Sequence, residues 1–289
     1  MTHKHLFKFG LVFLMLLLII GCQKSTVEPG LDAEYILNNE DVAISVANLI
    51  SEEYGGVLDQ VGDILVSAAE DGNQSLAKMD DSFGTHTATY DSVTQTWTIE
   101  VMRERGVPGD SVYAKFERTY QKQFINKNGL PQRRYITEGD TAYSIDFEIV
   151  DGTGVILKPY FKHHLKSLSG GWLATNTNQE IVTVNGTYHR AAIDTLTGER
   201  GTRISDHSVD LSINNVTGPR GSRLDLSRKI SGSITGVFHA TITILGDNIT
   251  IIKEVERDIN IQLGDGEVMI QVNQNQYHAS PETGDLINF

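Results

Sequence analysis

The chain changes its hydrophobic period twice. An unbroken apolar stretch, Leu11 to Ile20, comes first. From Asn39 the period is helical: Val42, Val46, Leu49 and Ile50 recur at i, i+4, i+7 and i+8, which predicts one apolar stripe on a helix. Asn39 is placed to cap that helix, and Glu40 with Asp41 suits the positive end of its dipole. Gly55-Gly56 interrupts the pattern because two glycines stop or bend a helix through backbone entropy. A second amphipathic stretch follows, with Leu58, Val61, Leu65 and Ala68 on one side, ending at Asp71-Gly72. The expectation is a helix-turn-helix pair or one bent helix over residues 38–72.

From about Phe83 onward the period is two. Tyr143, Ile145, Phe147 and Ile149 alternate with polar residues, and so do Ile259, Ile261 and Leu263. Turn pairs punctuate the region at Asn128-Gly129, Asp151-Gly152 and Asp265-Gly266, with Gly246-Asp247-Asn248 serving the same purpose. Without helical crossovers between strands, parallel pairing is disfavoured and about ten strands should form an antiparallel meander. That number approaches the size at which open sheets curl or close. The predicted fold is mainly β over 83–289: a large curved antiparallel sheet or barrel-like up-and-down meander, with the N-terminal helix pair against its concave face or one end. A transmembrane barrel is not supported, because the strands lack aromatic girdles.

The apolar stretch ends in Leu18-Ile19-Ile20-Gly21-Cys22, and Cys22 is the one cysteine of the chain. Ten strictly apolar residues fall short of the roughly 18 that span a bilayer, and Lys4 and Lys8 precede them, so residues 1–21 read as a cleaved signal peptide. The end of the segment resembles the lipobox of bacterial lipoproteins, with Ile19 standing where that family most often has leucine. The resemblance implies a diacylglycerol thioether on Cys22, cleavage before it, and further acylation such as palmitate. Two or more chains, each buried methylene worth about 0.8 kcal/mol, would hold the protein stably on a membrane. Gln23 follows where aspartate would signal inner-membrane retention, which favours the outer membrane of the cell envelope, with its periplasmic or surface face left open. Residues 22–37 read as a lipidated tether.

Losing residues 1–21 removes two of 24 basic residues and none of 37 acidic ones, leaving 22 basic residues in a more acidic mature chain. That balance, with no large Lys/Arg cluster, argues against a nucleic-acid partner. With Cys22 lipidated there is no thiol for disulfides or thiolate metal sites.

Candidate chemistry is sparse. Lys162, His164 and Lys166 share one strand face, a basic stripe in an acidic protein and the best candidate contact for an anionic ligand. The competing reading is an edge strand using lysines to discourage edge pairing. His189 and His239 occupy matching positions in an internal echo, Val184-Asn185-Gly186-Thr187-Tyr188-His189 and Ile234-Thr235-Gly236-Val237-Phe238-His239, with the aromatic inward and the histidine outward. Two histidines alone do not make a metal site. Asp146 and Glu148 lie two residues apart on one strand face, roughly 6 to 7 Å, which admits a polysaccharide hydrolase as the alternative function. No GxSxG turn, HExxH or phosphate loop is present. No catalytic residue, metal site or cofactor is assigned.

Asp91-Ser92-Val93, Asp110-Ser111-Val112, Asp140-Thr141-Ala142 and Asp194-Thr195-Leu196 resemble an O-glycosylation sequon of some Gram-negative bacteria, though Asp and Ser/Thr are also plain turn formers. Tyr54-Gly55-Gly56, Tyr90-Asp91, Thr96-Trp97-Thr98, Gly186 to His189 and Gly218 to Arg223 are similar to segments of envelope lipoproteins of unknown activity. The expected function is therefore a membrane-anchored envelope lipoprotein with a non-enzymatic binding or structural role, carrying an apolar ligand or docking an envelope protein partner.

Overall fold

The computed structural model describes residues 39–69, 84–198, 201–222, 229–246 and 249–287. Helices α1 (Asn39–Ile50) and α2 (Val57–Ser67) come first. Then follow strands β1 (Gly84–Asp91), β2 (Thr96–Arg105), β3 (Tyr113–Ile125), β4 (Pro131–Gln132), β5 (Ile136–Thr137), β6 (Asp140–Thr141), β7 (Ser144–Lys158) and β8 (Phe161–Thr175). The remaining strands are β9 (Ile181–Gly198), β10 (Gly201–Pro219), β11 (Ser231–Leu245), β12 (Thr250–Gly264), β13 (Glu267–Val272) and β14 (Asn275–Ala279).

One antiparallel sheet runs β1-β2-β3-β7-β8-β9-β10-β11-β12-β13-β14, with β4 paired to β3, while β5 and β6 form a separate hairpin. Neighbours in sequence are neighbours in space, as an up-and-down meander requires. The sheet is open, with β1 and β14 as its edges. At Asp265-Gly266, between β12 and β13, both residues have positive φ, 53° and 81°, the conformation that a two-residue hairpin turn demands.

The curvature has a local cause. β10 is 19 residues long, roughly 60 Å of chain, and strands of this length stay straight only if alternation is unbroken. It is broken by bulges between Ile213 and Val216, between Leu165 and Ser167, and opposite Thr119/Tyr120. Each inserts an unpaired residue, bends its strand and increases the local twist. Asp151-Gly152, expected as a turn, belongs to one of these bulges inside β7: Gly152 pairs with Arg118 and Asp151 with Thr119. The pair supplies a kink rather than a chain reversal, because the flanking residues continue their ladder to β3.

The helices lie in the concavity. The predicted stripes are buried, and so are polar residues on the other sides of both helices: Asp41, Ser45, Asn48, Asp59, Gln60, Asp63 and Ser67, with Glu40 left exposed at the start of α1. A solvated polar face was the expectation; the sheet wraps far enough around the pair to cover it. Asn39 also departs from its expected role. Its amide donates to Asn275 Oδ1 at 2.7 Å and its oxygen accepts from Arg257 Nε at 2.9 Å, so it ties the start of α1 to β12 and β14 instead of capping the helix. Asp71 and Gly72, the expected end of the second helix, lie outside the described residues.

The bend between the helices sits against β3. Gly55 has φ +70°, and a Cβ there would collide with the Phe116 ring, so glycine is needed for both conformation and space. Tyr54, Ala114, Phe116 and Ile156 form a small apolar cluster beneath it. The chain then returns at its far end: Glu52 N–H donates to Pro281 C=O and Glu53 N–H to Glu282 C=O, both at 2.9 Å, closing one end of the concavity.

Candidate functional site

Two arrangements stand out, one inside the fold and one at its rim. The inner one fixes the helices. β3 turns Phe116, Arg118, Tyr120, Lys122 and Phe124 inward, since alternate strand residues share a face. Arg118 Nη1 lies 2.6 Å from Asp59 Oδ2, and Arg118 Nη2 donates to the Gly55 carbonyl. Arg103 on β2 bridges Asp59 at 2.7 Å and Asp63 at 2.5 Å. Tyr120 adds a hydrogen bond to Asp63 Oδ2 at 3.3 Å. Two arginines thus meet two aspartates one helical turn apart, the i, i+4 spacing that places both on one side of α2. Next to them Lys122 is wholly buried, with its Nζ donating to Ser67 Oγ at 3.1 Å; burial pushes its pKa down to about 7.

A second cluster holds α1. Ser45 Oγ donates to Asp194 Oδ2 and His163 Nδ1 meets Asp194 Oδ1, each at 2.5 Å, while Arg190 Nη2 contacts His163 Nε2. Arginine can only donate, so His163 Nε2 accepts and the ring is the neutral tautomer protonated at Nδ1. Burial, reinforced by Arg190, pushes His163 down to about 4, which fits that assignment. Burial works against ionisation of Asp194, but His207, His163 and Ser45 together hold it below the usual carboxylate range. The order is Ser-Asp-His-Arg: the serine hydroxyl points at the carboxylate, not at the imidazole. A nucleophilic serine needs a base to take its proton, and here the imidazole is occupied on both nitrogens. The cluster is a clamp. Asp41 on α1 completes it with Arg203 on β10 at 2.6 Å, burial raising the carboxyl to about 6.

Sequence reading named Asp41 only for the helix dipole and Asp194 only in a sequon-like triplet, and it placed none of these residues in a buried cluster. The signal was available as polar residues at inward parity, such as His163 between Phe161 and Leu165 or Lys122 between Tyr120 and Phe124. Parity alone does not say that partners wait on the other side.

The residues that were singled out fall elsewhere. Lys162, His164 and Lys166 do share a face, the outward one. Their strand is central, paired to both β7 and β9, so the edge-strand reading is corrected. Lys166 is the bulge residue of β8 and pairs with Asp206 at 2.5 Å. A groove of about 470 Å³ beside it is lined by Lys166, Asp206, His239, Glu254 and Glu256, so acidic residues outnumber the lysine. His189 pairs with Asp210 at 2.7 Å and His239 with Glu256 at 3.3 Å, each on the outward face as expected, with Tyr188 and Phe238 buried behind them. Among the described residues no group of three or more His, Cys, Asp or Glu could hold a metal ion. Asp146 and Glu148 point outward from β7, opposite Leu173 and Gly171 of β8. Cys22 lies outside the described residues.

The rim arrangement is a cavity of about 530 Å³ where the β1–β2 turn, the β3–β4 hairpin and the β5–β6 hairpin converge. Tyr90, Ser92, Gln95, Asn126, Arg133, Glu138 and Asp140 line it. Tyr90 packs against Trp97 with ring centroids 5.0 Å apart, and the Arg133 guanidinium stands over the Tyr90 ring at 5.0 Å. Trp97 Nε1 donates to the Arg133 carbonyl at 2.7 Å, and the Gln132 amide donates to the Arg134 and Tyr135 carbonyls at 2.8 and 2.9 Å. These bonds hold the irregular segment between β4 and β5 against the sheet. Asn126 Oδ1 accepts from the Asn128 and Leu130 backbones, fixing the Asn128-Gly129 turn. The cavity is thus preformed by backbone-directed hydrogen bonds.

No family model matches the chain, and no curated protein or solved structure is similar to it.

Proposed function

We propose that the protein is a membrane-anchored envelope lipoprotein with a non-enzymatic binding or structural role, its signal peptide removed at Cys22 and its domain tethered by residues 22–37. The observation that carries the binding role is the filled concavity. Helices α1 and α2 occupy it and are pinned by Arg103, Arg118, Arg203 and the Ser45-Asp194-His163 cluster. That arrangement favours recognition on the outer surface and rim, docking a partner or ligand, over carriage of an apolar molecule between helices and sheet. The outward face, with Lys162, His164, Asp206, Asp210, Glu254 and Glu256 exposed, is polar, unlike the lipid-facing band of a membrane barrel.

The anchor is tested by growing cells with a palmitate analogue. Label on the wild-type protein in the outer-membrane fraction, lost together with membrane association in Cys22→Ser, is the expected result. An unlabelled wild-type protein, or a Cys22→Ser variant that still fractionates with the membrane, defeats it.

A further inference from the structure

We infer that the rim cavity binds a neutral saccharide. This rests on the non-enzymatic binding reading and names a ligand class for it. The size suits a small-molecule site, which commonly has roughly 300–1,000 Å³, and the lining selects among ligands.

An apolar ligand is disfavoured because the wall is mostly amide, hydroxyl and charged groups: Ser92, Gln95, Asn126, Arg133, Glu138 and Asp140. An anion would meet two carboxylates in a chain whose formal net charge is −13. A cation would meet the Arg133 guanidinium over Tyr90. An uncharged ligand rich in hydroxyls fits best, since each hydroxyl both donates and accepts. The cavity offers both partners. Among the described residues, the Arg133 guanidinium and the Gln95 amide can donate, and the Glu138 carboxylate can accept, without giving up a hydrogen bond within the protein. Asp140 faces Lys127 at only 3.9 Å, a loose pairing that leaves carboxylate lone pairs available. A sugar also carries an apolar C–H face, and Tyr90 brings a ring to the lining, with the Arg133 guanidinium over one face and Trp97 packed against it. The site is preorganised: Gln95 and Glu138 take positive φ, 55° and 53°, in the tight turns that bring their side chains to the cavity.

The full-length protein in detergent is titrated with maltohexaose, cellohexaose, mannohexaose and chitohexaose, and with hexagalacturonate as the anionic comparison, by calorimetry and tryptophan fluorescence. Saturable binding of at least one neutral hexasaccharide is expected, with an emission change from Trp97. Tyr90→Ala should weaken it by about tenfold or more, the loss of roughly 1.4 kcal/mol. Glu138→Gln and Gln95→Ala, both in exposed turns, test the site without touching the core if Tyr90→Ala lowers the melting temperature. No saturable binding of any neutral sugar at millimolar concentration overturns the proposal, as does binding that survives Tyr90→Ala and Glu138→Gln together, or binding of hexagalacturonate alone. Any of these failures leaves palmitate labelling at Cys22 unaffected, so the anchor reading is judged separately.

Discussion

Arg118 Nη1 and Asp59 Oδ2 stand 2.6 Å apart with their side chains 1% and 5% exposed, a buried ion pair between β3 and α2. Both charges have been taken out of water, and each is tolerable only because the other is there. Arg118 spends a further N–H on the Gly55 carbonyl and Asp59 a further lone pair on Arg103.

Removing one partner should therefore cost more than the pair contributes. Asp59→Asn leaves Arg118 facing a neutral amide in the core and should destabilise the fold by about 3–5 kcal/mol. Urea denaturation followed by circular dichroism measures it; a loss below about 1 kcal/mol, the scale of a surface pair, would show that the pair is solvated.

Lys122 sets a pH dependence. Its folded pKa is pushed down to about 7, whereas the unfolded chain holds its proton to roughly pH 10.4. Between those values the unfolded state binds more protons, so stability rises as pH rises from about 7 toward 10. Lys122→Met should flatten that rise and stabilise the protein at neutral pH. Thermal melts at several pH values check both; an unchanged slope in the variant excludes Lys122 as its source.

His163 acts in the same sense at lower pH. With its pKa near 4 in the fold against roughly 6.5 unfolded, it withdraws stability as pH falls from about 6.5 toward 4. Asp41 opposes it, because a carboxyl raised to about 6 binds protons more readily in the folded state and adds stability as pH falls through 6. In Asp41→Asn the acid loss should become steeper. Nitrogen NMR should find the His163 ring neutral at pH 7 with the proton on Nδ1; a proton on Nε2 would contradict the Arg190 contact.

Gly55→Ala should destabilise by about 1–3 kcal/mol, since the site combines φ +70° with a Phe116 ring where the methyl would go. A smaller loss would mean that the α1–α2 bend can relax away from β3.

Incubation with zinc should leave the melting temperature unchanged, because His189 and His239 each face one carboxylate, Asp210 and Glu256, rather than each other. A rise in melting temperature would reveal a metal site that those pairs do not explain.

Much of the architecture was legible in the chain. A helical period from Asn39 and a period of two from about residue 83, with no crossover helices between strands, leave few alternatives to two helices on an antiparallel meander, because side-chain periodicity is a local property of backbone geometry. The Asn128-Gly129 and Asp265-Gly266 turns follow from the same local rule, and so does the outward placement of Lys162, His164 and Lys166. Asp151-Gly152 shows where the rule stops: the same dipeptide chemistry serves a turn or a bulge, and only the continuation of the ladder to β3 chooses. Sequence position likewise allowed Lys162 to Lys166 to be read as an edge strand, until β7 and β9 flanked it.

What the tertiary structure alone decided is where charge can be buried and where a cavity opens. Asp59, Asp63, Ser45 and Asp41 look like the solvated side of amphipathic helices, and they would be, had the sheet not curved over them with Arg103, Arg118, Asp194 and Arg203 in register. Tyr90 is distant in sequence from Arg133 and Glu138, and it meets them only because three turns end at the same rim. The chain by itself determines its elements, which depend on neighbours a few residues away. The clamp and the cavity depend on contacts between residues tens to hundreds of positions apart, and those exist only once the sheet has curved over its helices.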